Sequence, residues 1–160
     1  MEFALQKTLS SAEVKLIRQK LNLKQRELAE FVNVSVKTVE YWERNGGQVK
    51  GSAAALLCIL RERTGILDEF QVPEKKLPVR LKYMYGEQLC TVIDVADRTR
   101  QVRIKNFVTD PLFRAFGRTA EPTYEEYEEF LESRCFPPTR DKMKIILKEL
   151  NLPFYDPFMI

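Results

Sequence analysis

Two short helices joined by a tight turn are predicted by the apolar and polar positions of residues 21–44. The first helix spans residues 24–32 and the second spans residues 36–44, and each places its apolar side chains on one face at helical spacing. These apolar positions are Leu28, Ala29, Val32, Val39 and Trp42. A helix, a turn of about three or four residues and a second helix with a polar outer face make a helix-turn-helix unit.

The turn between the two helices carries local signals of its own. Asn33 tolerates the left-handed backbone that ends a helix, and Val34 then fills the corner. Ser35 is placed to cap the second helix, with its hydroxyl accepting from the backbone amide of Lys37 or Thr38. The side chains expected to remain exposed on that second helix are Val36, Lys37, Glu40, Tyr41 and Arg44.

At these positions the sequence resembles the Cro, lambda-repressor and Xre family of DNA-binding domains. The matching residues are Gln25, Leu28, Ala29, Val34, Ser35, Val39, Trp42 and Glu43. The resemblance covers about residues 10–70, since residues 11–21 supply a first helix and residues 52–63 a fourth. It implies an all-α DNA-binding domain in which Arg18 on the first helix forms a structural ion pair with Glu43 at the end of the third.

Several polar residues of this unit are candidate DNA contacts. Gln25 opens its helix and is placed to donate to a phosphate, where the helix dipole also favours an anion. The resemblance places Val36, Lys37 and Tyr41 at base edges, where lysine can donate to guanine O6 or N7 and valine can meet a thymine methyl. A plain solvated face would present the same side chains. The predicted DNA-binding residues are Gln25, Ser35, Val36, Lys37, Thr38, Tyr41, Arg44 and Asn45.

The charge pattern qualifies this picture, because the net charge of +3 is modest for a DNA-binding protein. Glu40 would read a cytosine amine, pair with Lys37 or Arg44, or lie off the interface. Residues 71–108 are the basic part, with 8 Lys and Arg against 4 Asp and Glu, and they suit either an extended phosphate footprint or a solvated sheet face. The acidic positions Glu125, Glu126, Glu128, Glu129 and Glu132 could mimic DNA, dock a basic protein or remain solvated.

The period of the apolar pattern changes after residue 70. Prolines at positions 73 and 78 mark residues 71–78 as a linker. Alternating apolar residues then predict three strands over residues 79–85, 89–95 and 101–107, which would form an antiparallel meander. The fold class expected is therefore α+β, with a small three-stranded sheet packed against two or three helices.

Three helices are predicted after the sheet. Residues 110–116 form a short one that ends at Gly117, and Thr123 with Glu126 makes a capping box for the second. Thr139 is expected to cap the last helix, whose apolar face runs from Met143 to Leu150. Residues 154–160 are then left as an extended apolar tail, which would fold into a groove or form a contact site.

Composition favours a binding protein over an enzyme. The chain has no histidine, which excludes Ser-His and Cys-His nucleophilic pairs and histidine metal sites. Its cysteines, Cys58, Cys90 and Cys135, lack the spacing of a zinc site, so neither metal nor cofactor is expected. The N-terminal residues lack the pattern of a signal peptide and no segment suits a membrane span, which together predict a cytoplasmic protein.

These observations lead to two functional hypotheses. The first is a sequence-specific repressor of antitoxin or phage type, in which residues 1–70 bind operator DNA and residues 79–160 provide regulation, dimerisation or partner binding. A homodimer is expected, because one recognition helix contacts too few base pairs for useful specificity. The alternative is a protein-binding antitoxin or inhibitor whose C-terminal domain holds a partner such as a toxin, with DNA binding serving autoregulation.

Overall fold

A computed structural model describes residues 4–44 and 46–160 of this chain. Contacts within the backbone divide it into two units, Met1–Gln71 and Val72–Ile160. The elements of the first unit are β1 Thr8–Ser10, α1 Ser11–Lys20, α2 Gln25–Val32, α3 Val36–Glu43, β2 Gln48–Lys50, α4 Gly51–Glu62 and α5 Ile66–Phe70. Among the described residues, no helix is both long enough and apolar enough to cross a membrane.

The first unit has one layer of structure that the apolar pattern did not predict. Strands β1 and β2 pair antiparallel, with Leu9 opposite Val49 and both side chains buried. Gly47 leads into β2 where the chain crosses the end of α3. A Cβ there would lie 2.7 Å from the carbonyl oxygens of Tyr41 and Trp42, so only glycine fits this crossing.

Local signals set the helix ends of the first unit. Ser10 caps α1, and its backbone N–H donates to Glu13, which lowers the pKa of that carboxyl to about 2. Asn33 ends α2 with φ of 57°, and the N–H of Val34 then donates to the carbonyl of Ala29 at 2.9 Å. The predicted end of α2 is thereby confirmed, together with its left-handed backbone.

The core of the first unit is made by the inward faces of the helices and the two short strands. Leu28, Ala29, Val39 and Trp42 are buried in it, as their spacing predicts, while Val32 is half-buried. The complete set of buried core residues is Leu9, Val14, Ile17, Leu28, Ala29, Val39, Trp42, Val49, Ala54, Leu57, Cys58 and Leu60. This core fixes the orientation of α3, whose outer face carries the candidate DNA contacts.

The second unit is a three-stranded antiparallel sheet with helix α6 (Tyr124–Glu132) packed against one face. Its elements are β3 Val79–Tyr85, β4 Gln88–Ala96, β5 Gln101–Asn106, α6 Tyr124–Glu132 and α7 Met143–Glu149. The strand order β3-β4-β5 is the predicted meander, with Ile93 opposite Leu81 on one side and opposite Ile104 on the other. Ile93, Val95 and Tyr127 are the buried centre of the cluster between sheet and helix. The α+β fold class is thus confirmed.

Two helices of this unit differ from the sequence prediction. The helix expected over residues 110–116 is only a 3-10 turn, Pro111–Phe113, because the Asp110 side chain accepts from the N–H of Leu112 and such a short segment cannot propagate a helix. Leu112 is left 86% exposed. Thr139 caps no helix either, since α7 begins at Met143 after Lys142, which has φ of 62°.

The capping box of α6 forms as predicted, and the C-terminal segment is turned rather than extended. Thr123 Oγ1 accepts from the N–H of Glu126, whose carboxylate accepts in return from the N–H of Thr123. Beyond α7 the chain comes back to the residues that follow α6. The hydroxyl of Tyr155 donates to the carbonyl of Phe136 at 2.8 Å, and the thiol of Cys135 lies 3.2 Å from the carbonyl of Pro157.

Candidate nucleic-acid interface

The outer face of α3 presents a compact set of side chains to solvent. Val36 is 38% exposed and Tyr41 is 62% exposed, and Lys37 and Arg44 are exposed beside them. Val39 and Trp42 point the other way, into the core. A short helix held from behind with polar and small apolar groups in front has the shape and chemistry for reading base edges in the major groove.

Ser35 and Thr38 hold the N-terminus of α3. The Oγ of Ser35 accepts from the N–H of Thr38 at 3.1 Å, and the two hydroxyls lie 2.8 Å apart in a further hydrogen bond. Thr38 is half-buried, whereas Ser35 is exposed. The structure therefore gives both residues a capping role, and it leaves the first turn of α3 pointing outward, where the partial positive charge of a helix N-terminus favours a phosphate.

An ion pair connects α3 to the rest of the first unit. Arg18 on α1 grips Glu43 with two donors, its Nε at 2.6 Å and its Nη2 at 3.0 Å. The side chains are 16% and 7% exposed, and Arg18 Nη1 also donates to the carbonyl of Leu23 at 2.9 Å. A bidentate pair of this kind restricts both position and angle, so it fixes the end of α3 relative to α1.

Gln25 is the third member of this cluster. Its Nε2 donates to Glu43 at 2.9 Å, so the side chain predicted to contact phosphate has a partner within the protein. The sequence interpretation missed this contact, although Gln25 opens the helix next to α3 and an amide is a natural donor to a carboxylate. One amide hydrogen of Gln25 remains for a second acceptor, since the amide group carries two.

The electrostatics of the cluster keep Glu43 ionised. Burial alone would raise the pKa of Glu43, but the hydrogen bonds from Arg18 and Gln25 outweigh it, and the pKa lies below its ordinary value. The same contact with Glu43 raises the pKa of Arg18. The pair is thus fully charged at neutral pH, and it neutralises itself without adding charge to the outer face of α3.

The remaining predicted contacts fall into separate places. Glu40 is half-buried rather than exposed, and in the part of the chain that the structure describes it forms no ion pair with Lys37 or Arg44. Arg44 follows α3 in an extended conformation and is exposed. Asn45 lies outside the described residues. Across residues 4–44 and 46–160, no group of three or more acidic or cysteine side chains is arranged to hold a metal ion.

Comparison with known proteins agrees with this geometry for the first unit alone. Residues 14–59, which include α1 to α3 almost entirely, match a family model described as helix-turn-helix. No curated protein and no solved structure matches the chain, and the second unit has no assigned family. Residues 14–59 are therefore a helix-turn-helix domain of the Xre and lambda-repressor type, the kind of domain that binds DNA in transcription regulators.

Proposed function

We propose that this protein is a homodimeric repressor that reads operator DNA with the outer face of α3. The observation that supports the proposal is that the two faces of α3 have different roles. Val39 and Trp42 are buried, Glu43 is held by Arg18, and the opposite face leaves Val36, Lys37 and Tyr41 exposed. Sequence-specific recognition in the major groove requires a rigidly held helix with several adjacent side chains that can contact bases.

Each exposed side chain has a distinct chemical role in this proposal. Lys37 donates to guanine O6 or N7, Val36 contacts a thymine methyl, and Tyr41 contacts a base edge or the adjacent backbone. Ser35, Thr38, Arg44 and Asn45 position the helix on phosphates. Gln25 supports Glu43 through one amide hydrogen and offers the other to a phosphate.

Two copies of α3 on half-sites about one turn of DNA apart supply the specificity that one copy lacks. We place the dimer surface in the second unit, where Leu112 is 86% exposed within a turn beside Phe113. Leu112 and the neighbouring Phe113, which is 37% exposed, form an apolar patch, and such patches occur where a protein binds a partner. Sedimentation of Leu112→Ser tests this point, because the proposal expects a shift from dimer to monomer.

Selection of bound duplexes from a random pool tests DNA recognition directly. The full-length protein should enrich a two-part motif with related halves, and Lys37→Ala should reduce discrimination between the selected and a random duplex about tenfold, since one bidentate base contact contributes about 1–3 kcal/mol. Lys7→Ala is the charge-matched control. It removes an exposed lysine of the same unit outside α2 and α3, and should leave discrimination unchanged.

The proposal has two clear ways to fail. If no motif is enriched even at low salt, sequence-specific recognition is wrong. If Lys37→Ala weakens selected and random duplexes equally and lowers the salt slope by about one, Lys37 contacts phosphate and α3 is not the reader at that position.

A second role, binding of a protein partner such as a toxin, is favoured by the other exposed apolar side chains of the second unit. These include Ile145, Leu150, Phe154, Phe158 and Met159. In this alternative the second unit holds the partner and DNA binding serves autoregulation. If the Leu112→Ser protein stays dimeric and still represses, the apolar surface of the second unit is not needed for dimerisation, which favours partner binding as its role.

A further inference from the structure

A cavity of about 440 Å³ lies within the second unit, beside α6, the turn after β4 and the C-terminal segment. Its volume falls in the range of small-molecule sites, roughly 300–1,000 Å³. The polar residues that line it are Asp97, Tyr124, Tyr127, Glu128, Glu132 and Asp156. DNA recognition by α3 makes no use of these residues, so the cavity is a candidate for a separate binding function.

Tyr127 is the most informative residue of this lining. The residue is only 3% exposed, and its ring packs in the core with Ile93 and Val95. No residue in the described ranges forms a hydrogen bond with its hydroxyl. Every fully buried side-chain oxygen in those ranges has a hydrogen-bond partner, so the unbonded hydroxyl of Tyr127 is not fully buried. The hydroxyl therefore opens onto the cavity. A buried tyrosine normally directs this group to a polar partner, and here the partner must come from the cavity side.

The carboxylates around that hydroxyl are incompletely neutralised. Asp97 accepts from the hydroxyl of Tyr124 at 3.1 Å, and Asp156 accepts from the N–H of Phe158 at 2.8 Å, both neutral donors. Glu132 accepts from no side chain in the described part of the chain. A neutral donor leaves the negative charge of a carboxylate in place, so these three residues give the cavity a negative potential.

One arginine lies beside the cavity without neutralising its negative charge. Arg100 lies 4.5 Å above the ring of Tyr124, and its Nη2 is 2.7 Å from Glu125 and 3.4 Å from Glu128. Its shorter contact is thus with Glu125, which does not line the cavity. The charge balance shows in the pKa of Tyr127, which burial and then the negative charge of Asp97 raise to about 12.

We propose that this cavity binds an organic cation, an alkylammonium or guanidinium group carried on a short apolar stem. The carboxylates of Glu132, Asp97 and Asp156 meet the charge, the hydroxyl of Tyr127 accepts a hydrogen bond from it, and the ring of Phe158 contacts the stem. Aromatic rings beside carboxylates favour weakly hydrated cations of this size. The carboxylates of the described residues are not grouped as a metal ion requires, which favours a larger ligand.

Two sources can supply this chemistry, a free small amine or the basic side chain of a protein partner. The test uses the uniformly 15N-labelled full-length protein and follows backbone amides by NMR. n-Butylammonium and n-butylguanidinium chloride are the small cations, 1-butanol is the neutral probe of the same shape, and N-acetyl-Gly-Arg-Gly-amide is the peptide arm. All titrations are made at one ionic strength.

The expected result is a saturable shift of the backbone amides of residues 97, 127–132, 156 and 158 with at least one cation and none with 1-butanol. Saturation by the free cations identifies a small-molecule site, and saturation by the peptide alone identifies a partner's side chain. Either outcome supports the proposal. Absence of saturation with every cation, or equal shifts with 1-butanol, overturns it.

Substitutions on α6 give a matched comparison. Glu132→Gln keeps the shape of the side chain and removes its charge, so it should weaken cation binding about tenfold, the usual effect of losing one charge-assisted hydrogen bond. Glu129→Gln makes the same change on the same helix outside the lining and should alter binding by less than about twofold. Tyr127→Phe removes the hydroxyl alone and should also weaken binding. Equal losses from Glu132→Gln and Glu129→Gln would overturn the site.

Discussion

The two units of this protein use the same device in different places, an arginine that grips a carboxylate with two donors and a backbone carbonyl with a third. In the first unit Arg18 holds Glu43 at 2.6 and 3.0 Å and the carbonyl of Leu23 at 2.9 Å. In the second, Arg80 holds Asp94 at 2.6 Å with each of two donors and the carbonyl of Pro73 at 2.7 Å. Each guanidinium therefore fixes a carboxylate and a loop together.

The two pairs differ in what they connect. Arg18 and Glu43 are 25 residues apart, and with Gln25 they join three separate helices. Arg80 and Asp94 face each other on the neighbouring strands β3 and β4, whose backbone pairing already holds them together. The second pair instead attaches the segment before β3 to the sheet, because Arg80 also donates to the carbonyl of Pro73 at 2.7 Å. The first pair thus orients a binding surface, and the second anchors a linker.

The cores of the two units differ as well. Among the residues that the structure describes, twelve buried residues form the core cluster of the first unit. In the second unit Ile93, Val95 and Tyr127 form the buried centre between sheet and helix, and Cys90, Val92 and Ala96 are buried outside that cluster. The second unit also leaves more large apolar side chains exposed. A well-filled core can hold a recognition helix rigidly. A unit with a smaller core and exposed apolar groups is better suited to binding a partner.

The largest expected effect concerns the independence of the two cores. Leu57→Ala removes a fully buried side chain of the first unit and should lower its free energy of unfolding by about 3 kcal/mol. Trp42 is the single tryptophan of the chain and lies in that core, so its fluorescence reports the first unit alone. In urea unfolding, Ile93→Ala should leave the Trp42 transition in place while Leu57→Ala moves it. Equal movement by both variants would show that the units unfold together.

The next effect tests the two ion pairs against each other. Glu43→Gln leaves the half-buried Arg18 without its countercharge and should lower the free energy of unfolding of the first unit by about 2–3 kcal/mol. Asp94→Asn should instead release the segment before β3, seen as NMR shift changes at the backbone amides of residues 74–77. Glu30→Gln, an exposed carboxylate on α2, is the control. If Asp94→Asn shifts the Trp42 transition as far as Glu43→Gln does, the distinction between the pairs is wrong.

The smallest effect is the response of these pairs to acid. Burial raises the pKa of Glu43, but the hydrogen bonds from Arg18 and Gln25 hold it below its ordinary value of 4.5. The hydrogen bonds from Arg80 hold the pKa of Asp94 below its ordinary value of 3.8, although burial opposes this too. The unfolded chain binds protons first, so this stability is complete above the ordinary pKa and declines as the pH falls toward the folded value. The midpoint of urea unfolding, followed by Trp42 fluorescence, should therefore move to lower urea concentration below about pH 4.5. This decrease should be less steep in Glu43→Gln. An unchanged slope would exclude Glu43 as a source of acid sensitivity.

Much of the fold could be predicted because its signals are local. The end of α2 at Asn33, the cap at Ser35, the capping box at Thr123 and the alternating strands each depend on a few neighbouring residues. The β1 and β2 pairing could not, since two three-residue strands about forty residues apart carry little pattern of their own. The helix expected at residues 110–116 and the cap expected at Thr139 were wrong for a related reason, because short segments follow their surroundings more than their propensity.

The sequence by itself determined the helix-turn-helix and the residues on its outer face, since helical spacing and turn chemistry are written in consecutive positions. Only the tertiary structure decided that Gln25 serves Glu43, that Arg80 anchors the segment before β3, and that Asp97, Tyr127, Glu132 and Asp156 share one cavity. These contacts join residues that are distant along the chain. Their geometry depends on how the elements pack, and no pattern of neighbouring residues in the sequence indicates that packing.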